Sequence, residues 1–203
     1  VNEMKRLLGQ LESYIHARPN LPTLVKIGLI HYQFEAIHPF QDGNGRIGRL
    51  LVPILLHQQG YQSASYLNIS RFFESQRHAY YYKLLAVSQA GDWEGWLTFF
   101  LEGIKLQSEV SLDKNQQLQE LFSTYLNRMR ILRNQTRIQR VLKYIFGMPM
   151  VTASKLAIDL GMPLKSAISY IDKFTEFEIL IETTGFKRNR IYAARELINI
   201  YRS

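Results

Sequence analysis

Cysteine is absent from the 203 residues. The chain therefore forms no disulfide and carries no thiolate nucleophile or thiolate metal ligand, which fits a reducing cytoplasm. Long apolar runs are missing too. The stretch from Leu50 to Leu56 is far too short to span a bilayer, so no membrane insertion is expected. No charged segment followed by an apolar one opens the chain, so no signal peptide is read. Without one, the sequons Asn68-Ile69-Ser70 and Asn134-Gln135-Thr136 carry little meaning. An initiating Met is also lacking: residue 1 is Val, and the next residues already show helical spacing, which points to a piece of a longer protein.

Apolar residues make up 46% of the chain, enough for a globular protein with a sizeable core. The net charge of +8 is unevenly placed. Residues 1–132 carry 13 Lys/Arg and 11 Asp/Glu, whereas residues 133–203 carry 12 and 6. A small basic C-terminal part suits nucleic acid, and it equally suits a solubilised surface.

Helical spacing dominates. Met4, Leu7, Leu8, Leu11, Tyr14 and Ile15 mark a first helix over 2–17, and Arg18 to Pro22 reads as a turn. Leu24, Ile27, Ile30, His31, Phe34 and Ile37 mark a second helix that must stop before Pro39. Residues 39–45 read as a loop. A helix from Arg46 to Gly60 follows, with a kink expected at Pro53. Residues 61–70 read as irregular, 71–90 as one aromatic helix, Trp93 to Ile104 as another, and Leu106 to Leu132 as a long polar connector. Trp93 and Trp96 are expected in the core, and His57 and His78 on the surface.

The remainder reads as helix 136–146, a short helix capped by Thr152, and a tight turn at Gly161-Met162-Pro163. A helix from Pro163 to Thr175, strands over 179–183 and 190–193 joined by a turn, and a final helix over 195–202 complete it. That order is the order of a winged helix. The predicted architecture is mainly α, a helical bundle plus a small winged helix-turn-helix domain with a β-hairpin. Its boundaries are 1–105, a connector over 106–134, and 135–203.

The densest chemistry lies in His38-Pro39-Phe40-Gln41-Asp42-Gly43-Asn44-Gly45-Arg46-Ile47-Gly48-Arg49. Gly43 to Gly48 fits G-x-G-x-x-G literally, but a dinucleotide fingerprint needs a preceding strand and an acid about twenty residues on. Here a helix precedes, and Ser65, Tyr66, Leu67 and Asn68 occupy those later positions. A Walker loop needs Gly-Lys-Ser/Thr, which is absent.

A phosphate site uses every polar residue. Gly43, Asn44 and Gly45 allow a turn whose amides cradle an anion at a helix N-terminus. Arg46 and Arg49, three apart, can meet a polyphosphate together. Asp42 is a hard oxygen ligand for Mg²⁺ that phosphates complete. His38 can accept a proton near neutral pH. Phe40 would anchor the loop in the core.

His38 to Arg49 resembles the complete motif of the Fic family, His-x-Phe-x-Asp/Glu-Gly-Asn-Gly-Arg-x-x-Arg, and His31 to Ile37 is similar to that family's approach helix. The resemblance covers roughly residues 1–105. It implies a Fic-type helical bundle and a protein adenylyltransferase moving AMP from ATP to a Ser, Thr or Tyr hydroxyl of a protein. By that resemblance His38 is the general base and Asp42 holds Mg²⁺. Gly43, Asn44, Gly45 and Gly48 form the phosphate loop, and Arg46 and Arg49 neutralise the outer phosphates. Family members that bind the nucleotide in reverse carry Lys where Gly45 stands, so Gly45 favours adenylylation; other donor bases stay open.

Tyr81-Tyr82 and Gln89 sit where family members place an aromatic and an amide against the base, with Tyr81 placed to stack on it; the alternative for Tyr81 is core packing on an aromatic helix. Glu35 is expected to orient the loop, and His31 to be a satisfied helix histidine. The family's β-hairpin flap and inhibitory helix find no match in this sequence. The tail resembles winged helices appended to Fic domains, with DNA or protein as partner and room for a homo-oligomer. The alternative function is a DNA-binding regulator whose nucleotide site acts as a sensor.

Overall fold

A computed structural model describes residues 2–17 and 20–202. Arg18 and Pro19 of the predicted first turn lie outside the described residues. The chain divides into two compact units, Val1–Ser111 and Leu112–Ser203.

In the first unit, α1 (Asn2–His16) is followed by α2 (Thr23–Ile37) and α3 (Asn44–Gln58). Next come a 3-10 turn (Gln62–Tyr66), α4 (Ile69–Ser75), α5 (Arg77–Ala90) and α6 (Trp93–Arg128). The core is aromatic. Trp96 and Phe100 of α6 and Phe73 of α4 are fully buried against Ile30 of α2 and Val52 of α3. Trp96 Nε1–H donates to the Gly28 carbonyl at 3.0 Å, so its one polar atom is satisfied inside that core.

The elements differ from the sequence reading in several places. Helix α3 begins at Asn44, because Gly43 at φ 87° supplies the left-handed N-cap and closes the loop two residues early. Residues 61–70 are largely helical: the 3-10 turn fills 62–66, and the Asn68 side chain accepts from the Arg71 amide to cap α4. The aromatic helix is broken at Gln76, where the Ser75 hydroxyl donates to the Phe72 carbonyl at 2.8 Å and competes with the backbone ladder.

The two helices expected over 93–104 and 106–132 are one 36-residue helix, α6. Gly103 does not break it; that position is bare because a Cβ there would lie 2.4 Å from the Phe72 ring. Trp93, expected in the core, is 41% exposed and meets Tyr32 edge-on at 4.8 Å between ring centres.

The second unit holds the end of α6, then α7 (Gln135–Gly147), β1 (Met150–Val151), α8 (Ala153–Leu160), α9 (Leu164–Glu176), β2 (Ile181–Glu182), β3 (Tyr192–Ala193) and α10 (Arg195–Arg202). Thr152 Oγ1 accepts from the Lys155 amide and caps α8 as its position predicts. Strand β1 was missed in the sequence. It pairs antiparallel with β3, as β2 does, giving a three-stranded sheet in the order β1-β3-β2. The strands are two residues each, shorter than the apolar runs suggest. A core of Leu142, Ile145, Leu156, Phe174 and Leu197 closes against Tyr125 of α6 and Met129 just beyond its end. Among the described residues no helix is long and apolar enough to cross a membrane.

Candidate active site

The motif occupies the end of α2, the loop 39–43 and the first turns of α3. His38 ends α2 in the left-handed region, φ 48° and ψ 59°, while its amide donates to the Phe34 carbonyl at 3.1 Å. Left-handed backbone is costly for a residue with a Cβ and recurs at functional sites. It turns the chain out of the helix and leaves His38 exposed.

The loop is held by Asn44 rather than Phe40. Asn44 is 2% exposed; its Oδ1 accepts from the Phe40 amide at 2.9 Å, and its Nδ2–H donates to the Phe40 carbonyl at 2.6 Å. Phe40, expected to anchor the loop in the core, is 48% exposed and only approaches Phe34, at 6.4 Å between ring centres. The backbone on either side of the Phe40 Cα is what is clamped, so its ring is free to stay outside.

Asp42 accepts from the Gly43 amide at 2.7 Å through Oδ1 and from Arg46 Nη2 at 3.1 Å through Oδ2. Both side chains of that pair are largely in solvent, so it contributes little stability and can rearrange. Among the described residues no group of three metal-ligating side chains exists. A lone exposed carboxylate fits Mg²⁺ chemistry, since that ion takes one or two carboxylates and completes its shell with phosphates and water.

The first amides of α3 have no acceptor within the helix, and they begin where Gly43, Asn44 and Gly45 stand. Arg49 lies further along the same helix, its side chain 17% exposed, with Nη2 4.0 Å from Glu74 Oε1. Its Nη1 passes 3.0 Å from the place a Cβ on Gly45 would take.

A buried polar network supports α3 from below. His31, 1% exposed, donates from Nδ1 to the Gly48 carbonyl at 2.9 Å and accepts at Nε2 from the Tyr80 hydroxyl at 3.0 Å. It stacks against Phe73 and against Trp96, with ring centres at 5.4 and 5.9 Å. Burial pushes its pKa down to about 4, so the ring is neutral and serves as the satisfied histidine the sequence suggests. Burial raises the Glu35 carboxyl, against the pull of Arg49 and His38. One Glu35 oxygen, Oε1, is buried without a hydrogen-bond partner, and so is Arg49 Nε. Burial and the neighbouring Glu35 also raise the Tyr80 hydroxyl.

Tyr81 lines the same cavity as Arg49, with the Arg77 guanidinium over its ring at 5.9 Å. Gln89 is exposed on α5 and shares a helical stripe with Tyr82 and Leu85, 67% and 51% exposed, at spacings of three and four. Sequence reasoning missed Leu85 and Arg77. Only the stripe's spacing signalled the first, and the break at Gln76 that places Arg77 has no glycine or proline to mark it.

Comparison with known proteins agrees with the motif. Residues 1–56 match the Fic/DOC family. A probable protein adenylyltransferase of Aquifex aeolicus is 30% identical over 73 residues, covering 36% of this chain and 23% of that protein. The protein adenylyltransferase Fic of Drosophila grimshawi is 32% identical over 128 residues, covering 60% of this chain and 25% of that protein. A Fido domain-containing protein of Dictyostelium discoideum is 42% identical over 60 residues, covering 28% of this chain and 41% of that protein. The chain thus spans a quarter or less of these two adenylyltransferases. Among solved structures, a Fic family protein from Desulfovibrio desulfuricans G20 is similar with a TM-score of 0.52 at 20% identity, covering 95% of this chain and 55% of that one. This likeness is one of fold.

Proposed function

We propose that the first unit carries the catalytic centre of a protein adenylyltransferase that moves AMP from ATP to a hydroxyl side chain of a target protein. The observation that carries this reading is the clamped loop. Asn44 fixes residues 40–44, so exposed His38 at the end of α2 and the amide-rich start of α3 are held on either side of one short segment. Relatives named protein adenylyltransferase support the same reading.

In the reaction the target hydroxyl oxygen attacks the α-phosphorus while His38 accepts its proton. The bond from the α-phosphorus to the bridging oxygen breaks, and pyrophosphate leaves with the electron pair. Amides at Gly43 to Gly45 and the guanidiniums of Arg46 and Arg49 neutralise the phosphates, with Gly48 keeping the helix close to its support. The protein's contribution is positioning and fixed charge. Asp42 would hold a Mg²⁺, which when bound offsets phosphate charge. The stripe of Tyr82, Leu85 and Gln89 offers an aromatic, an aliphatic and an amide group to a base, and Tyr81 serves the same nucleotide from the cavity beside Arg49.

The second unit is proposed to be a winged helix, on the order α7-β1-α8-α9-β2-β3 and the sheet order β1-β3-β2. A DNA-binding regulator with a nucleotide-sensing site is the second reading. It rests on the turn after β2, where Phe186, Lys187 and Arg188 are all exposed. The discriminating experiment supplies ATP labelled at the α-phosphate or at the γ-phosphate to the chain with Mg²⁺ and lysate. Adenylylation transfers only the α-label to protein; transfer of the γ-label alone, or of neither, contradicts it.

A further inference from the structure

One cavity of the first unit lies beside the motif helix. It holds about 400 Å³ and is lined by Arg49, Phe73, Glu74, Arg77, Tyr80 and Tyr81. Its walls carry two guanidiniums and one carboxylate, so it is an anion-attracting space rather than a gap in apolar packing. Its size suits a small ligand or part of one.

Arg49 connects this cavity to the start of α3. The guanidinium reaches back past Gly45, 3.0 Å from that residue's missing Cβ, and on its other side meets Glu74 at 4.0 Å. It therefore lies along the path of a phosphate chain that begins at the first amides of the helix. Arg77, the first residue of α5, lines the same cavity. Among the described residues it forms no ion pair; its guanidinium is steered instead by the Tyr81 ring. One face of the Tyr81 ring thus carries a cation.

We infer that this cavity receives the far end of the donor's phosphate chain and the departing pyrophosphate, with Arg77 as a third phosphate-binding arginine. Glu74 is the counter-ion that Arg49 exchanges for phosphate. This rests on the adenylyltransferase reading, because that reading places the nearer phosphates at Gly43 to Gly45. Two unlike charges then have opposite effects on one ligand. Removing Arg77 loses a charge-assisted contact, and removing the Glu74 charge relieves repulsion and frees Arg49.

The test is calorimetric titration of the chain with inorganic pyrophosphate, ATP, AMP and adenosine, beside α-label transfer by the unaltered chain. Arg77→Ala is expected to weaken pyrophosphate and ATP roughly tenfold while AMP and adenosine change less than about twofold. Arg77→Lys recovers part of that loss, and Glu74→Gln tightens pyrophosphate severalfold. Opposite shifts from two neighbouring substitutions cannot come from misfolding. The inference is overturned if both variants bind pyrophosphate like the unaltered chain, or if Arg77→Ala weakens adenosine as much as ATP. Either result beside intact α-label transfer leaves the adenylyltransferase reading standing; absence of transfer by the unaltered chain counts against that reading itself.

Discussion

Glu35 Oε1 lies only 2.1 Å from the place a Cβ on Gly48 would occupy. Helices α2 and α3 cross at this point, and the bare Cα lets the carboxylate rest on the motif helix. The Phe34 ring crowds the same place at 3.2 Å. Gly48→Ala should therefore cost about 1–3 kcal/mol despite the better helix propensity of Ala. Adding Glu35→Ala should recover much of that cost. Urea denaturation of the two single variants and the double variant measures the coupling, which should exceed about 1 kcal/mol; simple additivity would show that the carboxylate is not what requires glycine.

His31 makes stability depend on pH. Its folded pKa is lowered to about 4 by burial, below the 6.5 of a free ring. Between those values the unfolded chain binds a proton that the native chain refuses, so stability from this group falls as pH drops from 6.5 to 4. The full loss is about 3 kcal/mol. His31→Asn keeps a donor toward the Gly48 carbonyl and cannot titrate. Its denaturation midpoint should vary less over that window than that of the unaltered chain; equal slopes would mean that His31 protonates freely in the fold.

Gly45→Ala should separate stability from activity. The new methyl meets only the flexible end of Arg49, so it should leave the fold unchanged or stabilise it by up to about 1 kcal/mol. It would push the guanidinium off the first turn of α3. Thermal melts should show no loss, while the KM for ATP rises roughly tenfold, the scale of one charge-assisted contact. An unchanged KM would remove Arg49 from the phosphate path.

Much of this was legible in the residues. Helices with one apolar face, such as α1 and α7, declare themselves by spacing, and Thr152 and Gly161 punctuate α8 as their side chains dictate. The motif is legible because its residues are contiguous. What was not legible depends on tertiary contact. Phe40 looks like an anchor until Asn44 is seen to clamp its backbone, and the helix over 93–104 and the connector over 106–132 look separate until α6 is seen to run through both. Strand β1 is two residues long and exists only because β3 pairs with it. Arg77 belongs to the cavity only because the chain breaks at Gln76.

The basic turn of the second unit decides between the two readings of that unit. The Glu182 carboxylate accepts from the Thr184 and Gly185 amides, and Arg190 Nε donates to the Phe186 carbonyl, so the turn is held in shape with Lys187 and Arg188 outward. If it meets DNA, Lys187→Glu with Arg188→Glu should weaken binding to a labelled duplex at least tenfold and flatten its salt dependence. Fluorescence anisotropy across salt concentrations reads both. Equal binding by both proteins would assign the turn no part in DNA contact.

His38 is proposed to take the proton in a transfer of AMP. The direct measurement compares the unaltered chain with His38→Ala, using α-labelled ATP, Mg²⁺ and lysate, with ATP affinity measured in parallel. Label transfer to protein should be lost while ATP binding stays within about threefold, because the proposed phosphate contacts come from residues 43–49 and not from His38. Transfer that persists undiminished in the variant would contradict it.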